Sequence, residues 1–374
     1  MFRTYSLLLL NFAFLSGEPA IPAPLTSIHP QEKNAPSSSA SLIAQLERAA
    51  EAGDVHAQLK LGKAYRDGDG MPQNDVLAFQ WLRKAAEQGD PDAENDLGIL
   101  YGIGKGVEQD KQEAVRWYSK AAKQGNAKGM FNLGAAYYNG DGVDTDDTAS
   151  YAWFLLANEA GDHQAQEAVR RAESENKDPA EAFMKIAQMY DLGTELPKDS
   201  KEALRWCRKA GDAGNAEADV RVAGILLAQG RNPNEDEFRE ARSRCEKAAE
   251  RYSPGAFCMA VIYKKGLGVA ADPVQTVKWL NRSADLGQAR AALGLADAFW
   301  KGDGVRPDLV TAYMWTWIAF NSKVPGSEEQ EEAIRKQMTA KEIARAKQKA
   351  FEWLQKHRPL GLRQKTVQVS PGPD

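Results

Sequence analysis

Residues 97–125, "LGILYGIGKGVEQDKQEAVRWYSKAAKQG", decide how this chain is read. The stretch holds three glycines at alternating positions, Gly102, Gly104 and Gly106, with Lys105 among them. Glycine beside lysine is how phosphate loops are built, so a nucleotide site is the first question. A P-loop requires G-x-x-x-x-G-K-[ST], in which the final hydroxyl binds magnesium. Counting from Lys105, Ile99 stands where the first glycine belongs and Gly106 where the hydroxyl belongs. A dinucleotide fingerprint must follow a strand, and the residues before Gly102 have no strand pattern. Both readings fail, and the glycines need another reason.

Periodicity supplies it. Thirty-six residues before Tyr101 is Tyr65, and thirty-six after it is Tyr137. The glycine three places earlier recurs as Gly62, Gly98 and Gly134. The loop glycines recur as Gly68 and Gly70, Gly104 and Gly106, Gly140 and Gly142. Sixteen residues past each tyrosine comes Trp81, Trp117 or Trp153, and a further glycine follows at 89, 125 and 161. After a gap the pattern resumes with Tyr190, Gly193 and Trp206, then with Tyr263, Gly266, Gly268 and Trp279. The seventh unit carries Phe299, Gly302, Gly304 and Trp315. The fifth is degenerate: "AQGRNPNEDEF" replaces the glycine loop, and only Ala223, Leu226 and "RCEKAAE" stay in frame. Six of the nine tryptophans fall at one repeat position, so the chain is an array.

Each unit reads as two helices. The first ends at the glycine pair, where a helix C-terminus favours a residue free to take positive φ. The second starts after Asp110, Asp146, Asp199, Asp272 or Asp308, a residue suited to a helix N-cap. Small residues before each tyrosine let the helices approach, and Tyr, Trp and an alanine pair fill the seam. A two-helix unit cannot bury such a face alone, so units must stack into a solenoid. The pattern A-x-x-x-L-G-x-x-Y-x-x-G-x-G-V-x-x-D-x-x-x-A-x-x-W-Y-x-K-A-A-x-Q-G resembles the Sel1-like repeat, a relative of the tetratricopeptide repeat. The resemblance covers roughly residues 55–320 and implies an all-α superhelix that scaffolds protein–protein interaction. It also implies a periplasmic or secreted setting, with roles such as envelope regulation or assembly of polysaccharide or secretion machinery.

The flanks fit an exported chain. The apolar run "LLLLNFAFLSG" is too short to span a bilayer and suits a signal-peptide core, so residues 1–24 are read as a signal. Residues 25–40 form a Pro/Ser-biased linker. Residues 41–176 hold an N-terminal half-unit, units one to three and a polar cap helix. Residues 178–358 hold units four to seven and a C-terminal cap helix, and 359–374 are read as a disordered tail. The extra residues between Tyr137 and Tyr190 suggest two solenoid segments, the alternative being one curve with an inserted helix.

Little chemistry is written in the chain. The net charge of −4 argues against nucleic-acid binding driven by bulk charge. The carboxylates of "NGDGVDTDD" (Asp141, Asp144, Asp146 and Asp147) lack the spacing of a calcium loop. The four histidines are isolated from one another and from cysteine, so no zinc site is expected, and no cofactor is implied. Ser174 and Lys177 form one Ser-x-x-Lys, the pattern that opens the site of penicillin-recognising enzymes. It lies in a polar segment without companion motifs. Cys245 and Cys258 flank the turn between units five and six and could form a bridge, while Cys207 has no obvious partner. From Ala333 to Thr366 there are ten Lys or Arg against Glu342 and Glu352, a basic face that could meet an anionic surface.

The function expected is therefore a non-catalytic, exported adaptor that binds a protein partner on its curved surface. Asn95, Ile99 and Asn132, at first-helix positions that the repeat leaves variable, are the candidate contact residues. The alternatives are a cell-wall or β-lactam-related hydrolase using Ser174, and an intracellular adaptor if the N-terminus is not a signal.

Overall fold

The computed structural model describes residues 38–228 and 233–357, so the expected signal, most of the linker and the tail lie outside the described residues. Every regular element among the described residues is an α-helix. α1 (Ser38–Glu51) is the N-terminal half-unit. Units one to three are the pairs α2 (Val55–Asp67) and α3 (Asp75–Glu87), α4 (Pro91–Ile103) and α5 (Lys111–Lys123), and α6 (Ala127–Asn139) and α7 (Asp147–Glu159). α8 (His163–Ser174) is inserted. Units four and five are α9 (Pro179–Leu192) with α10 (Ser200–Asp212), and α11 (Ala216–Leu226) with α12 (Glu235–Ala248). Units six and seven are α13 (Ser253–Lys265) with α14 (Pro273–Asp285), and α15 (Ala289–Lys301) with α16 (Leu309–Asn321). α17 (Ser327–Arg335) and α18 (Ala340–Lys356) close the array.

The glycines of the opening stretch have separate jobs. Gly104 caps α4 at φ 71°, and its N–H donates to the Leu100 carbonyl, which answers an orphan acceptor at the helix end. Gly106 serves the next level of structure. A Cβ placed on it would lie 2.0 Å from the Asp75 carbonyl oxygen at the start of α3 in the preceding unit. The loop of one unit thus rests on the backbone of the last, and this contact helps to set the spacing between units. Gly142 meets Lys111 and Gly304 meets Pro273 in the same way.

The seam within each unit follows from the small residue three places before the tyrosine. A Cβ on Gly98 would reach the Tyr118 ring at 2.7 Å, and one on Gly134 would reach the Phe154 ring at 2.8 Å. In the first three units the residue after the tryptophan, Leu82, Tyr118 or Phe154, therefore packs directly on the first helix. The tryptophans line the other side of the seam: Trp153 and Trp206 are fully buried, and Lys84 and Lys120 lie over the rings of Trp81 and Trp117.

The inserted α8 packs on α7 through Ala165 and Val169, and α9 also packs on α7. One buried cluster runs from Ala122 in unit two to Ile262 in unit six and passes beside the insertion. Unit five reaches stability by other means. Arg244 precedes Ala248 and Ala249 by the interval that separates Trp81 from Ala85 and Ala86, so it occupies the tryptophan register. Its guanidinium bonds Asp219, whose side chain is 1% exposed, at 2.8 Å, and Asp212 and Glu240 at 3.0 and 3.1 Å. A disulfide joins Cys245 of α12 to Cys258 of α13 with the Cα atoms 5.8 Å apart, within bridging range. Cys207 is a free thiol buried in the same cluster, and burial pushes its pKa up.

Candidate functional site: the inner face

The first helices of neighbouring units touch, α4 with α6 and α11 with α13, and no pair of second helices comes as close. At these joints the first helices therefore lie on the inner side of the stack. Along each first helix the tyrosine and the small residue before it face the second helix, so positions two and five before the tyrosine look inward. These are the positions the repeat does not fix.

In the first three units the inner face is polar and stitched together. Asp96 of α4 accepts an ion pair from Arg66 of α2 at 3.0 Å, with Lys63 at 3.7 Å. The Asn132 amide of α6 donates to Asn95 Oδ1 of α4 at 2.8 Å. Asn95 is only 2% exposed, so its amide serves the joint between units two and three and does not face a partner. That corrects the expectation for Asn95, because a first-helix side chain one place off the inward row points into the neighbouring helix. Ile99 is half-buried on the inward row, and Asn132 is half-buried with one amide hydrogen committed to Asn95.

Beneath this face runs a second polar register, four residues past each first-helix cap. Gln58 accepts from Gln88 and Glu94 accepts from Gln124, each at 2.8 Å and within its own unit. Burial pushes the Glu94 carboxyl above its ordinary value, with the Gln124 amide and Lys120 opposing. Asp219 holds the same register in unit five, where Arg244 replaces the glutamine as its partner. Sequence reading missed these residues. The signal was present as polar side chains recurring at one position of an otherwise apolar seam.

The other candidate groups do not converge. The Ser174 hydroxyl is exposed and donates to the Arg171 carbonyl at 2.7 Å, while Lys177 pairs with Asp147 across the insertion. Serine and lysine are thus occupied separately, as an exposed cap helix dictates. In the third loop Asp141 pairs with Lys111 at 2.6 Å, and Asp146 accepts the Ala149 N–H as the cap of α7. No group of three His, Cys, Asp or Glu among the described residues could hold a metal ion. The basic C-terminal face is partly neutralised, because Arg335 and Lys336 pair with Glu331 and Glu332 of α17. Residues 358–366 of that face lie outside the described residues.

At the far end the inner face changes character. Between α13 and α15, and closed by α17, it opens into a cleft of about 380 Å³.

The profile of the Sel1 repeat matches residues 55–90, 91–126, 127–162, 180–215, 254–288, 289–316 and 342–356, more than half of the chain. It passes over unit five and matches part of α18, which sequence reading treated as a cap. Among solved structures, c5321, a protective antigen of uropathogenic Escherichia coli strains displaying an SLR fold, is 27% identical, with 90% of this chain and 77% of that chain covered at a TM-score of 0.45. A Sel1 repeat protein from Oxalobacter formigenes is 24% identical, with 80% and 82% covered and a TM-score of 0.39. Helicobacter pylori cysteine rich protein B is 27% identical over 35% of this chain and 97% of its own, with a TM-score of 0.30. No curated protein matches the chain significantly.

Proposed function

This chain belongs to the Sel1 repeat family, and on that premise we propose that it is a non-catalytic scaffold that holds a protein partner against the inner face of its solenoid. One observation carries the reading. The repeat fixes the residues of the seam and leaves the inward positions of the first helices free to differ, so the inner face is where one array is distinguished from another. The side chains there range from Lys60 and Asp96 to Ile99 and Gln188.

We place the protein in an oxidising compartment, the periplasm or outside the cell, reached through the apolar N-terminal run. The Cys245–Cys258 bridge supports this, since such bonds persist where thiols are not kept reduced. Exposed Lys341, Arg345 and Lys347 of α18 would add a contact to an anionic surface.

Photo-crosslinking in the native compartment tests the scaffold reading. A photoreactive residue at Lys60, Ile99 or Gln188 should capture a defined partner, and one at Arg116 or Lys123 on the second helix should not. Equal capture from both faces, or from neither, would refute the assignment.

A further inference from the structure

We propose that the cleft formed by α13, α15 and α17 binds a short extended peptide segment in which an apolar side chain is flanked by acidic ones. The proposal deepens the scaffold reading and rests on it. One residue shapes the floor of the cleft. Five places before the tyrosine position, units two and three carry Asp96 and Asn132, and unit seven carries Gly294. A Cβ at Gly294 would stand 3.0 Å from Leu280 of α14, so the glycine lets the leucine pack close and both line the floor with no side chain of residue 294 over it. Phe257, Val261 and Leu293 complete an apolar lining. Such a floor favours an apolar group that is otherwise in water.

The rim sets the charge. Lys264 and Arg290 border the cleft and are exposed, and neither makes an ion pair or hydrogen bond among the described residues. The cations of unit one differ, since Lys63 pairs with Asp96 and Arg66 with both Asp96 and Asp67. The carboxylate of Asp297, also on the rim, is taken by Lys301 at 2.6 Å. The cleft is therefore left with two uncompensated positive charges beside an apolar floor. That is the complement of an apolar residue with carboxylates on either side.

A third observation bears on the ligand's backbone. Gln330 of α17 lines the cleft, and its Oε1 is buried without a hydrogen-bond partner. A buried acceptor left unmade is costly, and rotation of the Gln330 amide into the cleft would let a peptide N–H satisfy it. A helical ligand has bonded those groups internally, whereas an extended segment still presents them.

Fluorescence anisotropy on the full chain tests this with a dye-labelled, capped peptide, Gly-Asp-Glu-Leu-Glu-Asp-Gly. Saturable binding is expected, falling about tenfold or more when the leucine is changed to serine, and again when lysines replace the acidic residues. The double substitution Lys264→Glu with Arg290→Glu should weaken binding by a similar factor or abolish it. The pair Arg116→Glu with Lys123→Glu removes the same charge from the second helix α5 and should leave binding unchanged. Absence of binding, equal binding of the lysine peptide, or equal loss in both variants would overturn the proposal. Crosslinks from Lys60, Ile99 and Gln188 do not depend on this cleft. Their persistence alongside a failed peptide would remove the cleft assignment and leave the scaffold reading standing.

Discussion

Replacing Arg244 with alanine tests how the fifth unit stays folded without its tryptophan. Asp219 is almost fully buried, with Arg244 at 2.8 Å and Lys247 at 3.5 Å. Removing the guanidinium leaves a buried carboxylate with a single, half-exposed lysine. Breaking a buried pair from one side costs about 3–5 kcal/mol, and the Coulomb energy at 2.8 Å with an effective dielectric of about 20 is roughly 6 kcal/mol before any compensation by Lys247. Arg244→Ala should therefore destabilise the middle of the array by about 3–5 kcal/mol. Asp219→Ala should cost less, because Arg244 keeps Asp212 at 3.0 Å and Glu240 at 3.1 Å. Asp219→Ala combined with Arg244→Trp restores the repeat's own solution and should recover most of the loss, since apolar replacement of a buried pair is often neutral or better. The assay is urea unfolding at neutral pH followed by circular dichroism. Tryptophan fluorescence from Trp206 and Trp279 would report on the neighbouring units, because arrays need not unfold as one. A cost below about 1 kcal/mol for Arg244→Ala, or a cost for Asp219→Ala that exceeds it, would refute the account.

Other outcomes follow from the same geometry. Gly89→Ala and Gly106→Ala both place a side chain at positive φ, but nothing lies within 4 Å of a Cβ at Gly89, whereas one at Gly106 strikes the Asp75 carbonyl. Gly89→Ala should cost about 1–2 kcal/mol from backbone conformation alone, and Gly106→Ala about 1–3 kcal/mol more from overpacking, both measured by denaturant midpoint. Thiol titration of the unfolded chain should find one reactive cysteine before reduction and three after. Opening the bridge, whose ends are 13 residues apart, should cost about 3 kcal/mol by loop-closure entropy. Glu94→Gln reproduces the Gln58–Gln88 pairing of unit one. Burial raises the Glu94 pKa from its ordinary 4.5, so the ionised form costs stability above that raised value, and the cost vanishes as the pH falls through it. The substitution should thus give a gain of under about 1 kcal/mol at pH 7 that shrinks toward pH 4.5, read by thermal unfolding across pH.

Much of the fold was legible because each unit repeats the same local solution. Gly104 could be read as a helix stop, Asp110 as a helix start, and Trp117 with Ala121 and Ala122 as a seam, since caps and helical periodicity are short-range properties. Gly106 was legible only as a turn residue; its contact with Asp75 belongs to the neighbouring unit. The candidate site was read less well. Asn95 and Asn132 were taken as surface because the repeat leaves them variable, yet one is buried and the other hydrogen-bonds to it. Variability in a repeat marks the absence of a common requirement, and a side chain can be variable because its joint differs. Lys264, Arg290 and Gln330 carry no motif and come from three helices, so nothing in their local sequence joins them.

The amino-acid sequence by itself determined that this chain is an array of helix pairs, where the glycine and aspartate signals of the regular units stop and start their helices, and which residues fill the seam. These follow from period, capping chemistry and the need of an amphipathic helix for a partner. Only the tertiary structure decided how a failing unit is rescued. There Arg244 takes the tryptophan's place against a buried Asp219, and a disulfide ties α12 to α13. It alone also decided which inward positions are open, because that depends on what the next unit places beside them. The glycine at 294 is one residue in the sequence, and only the leucine beneath it and the unpaired cations around it make it a cleft.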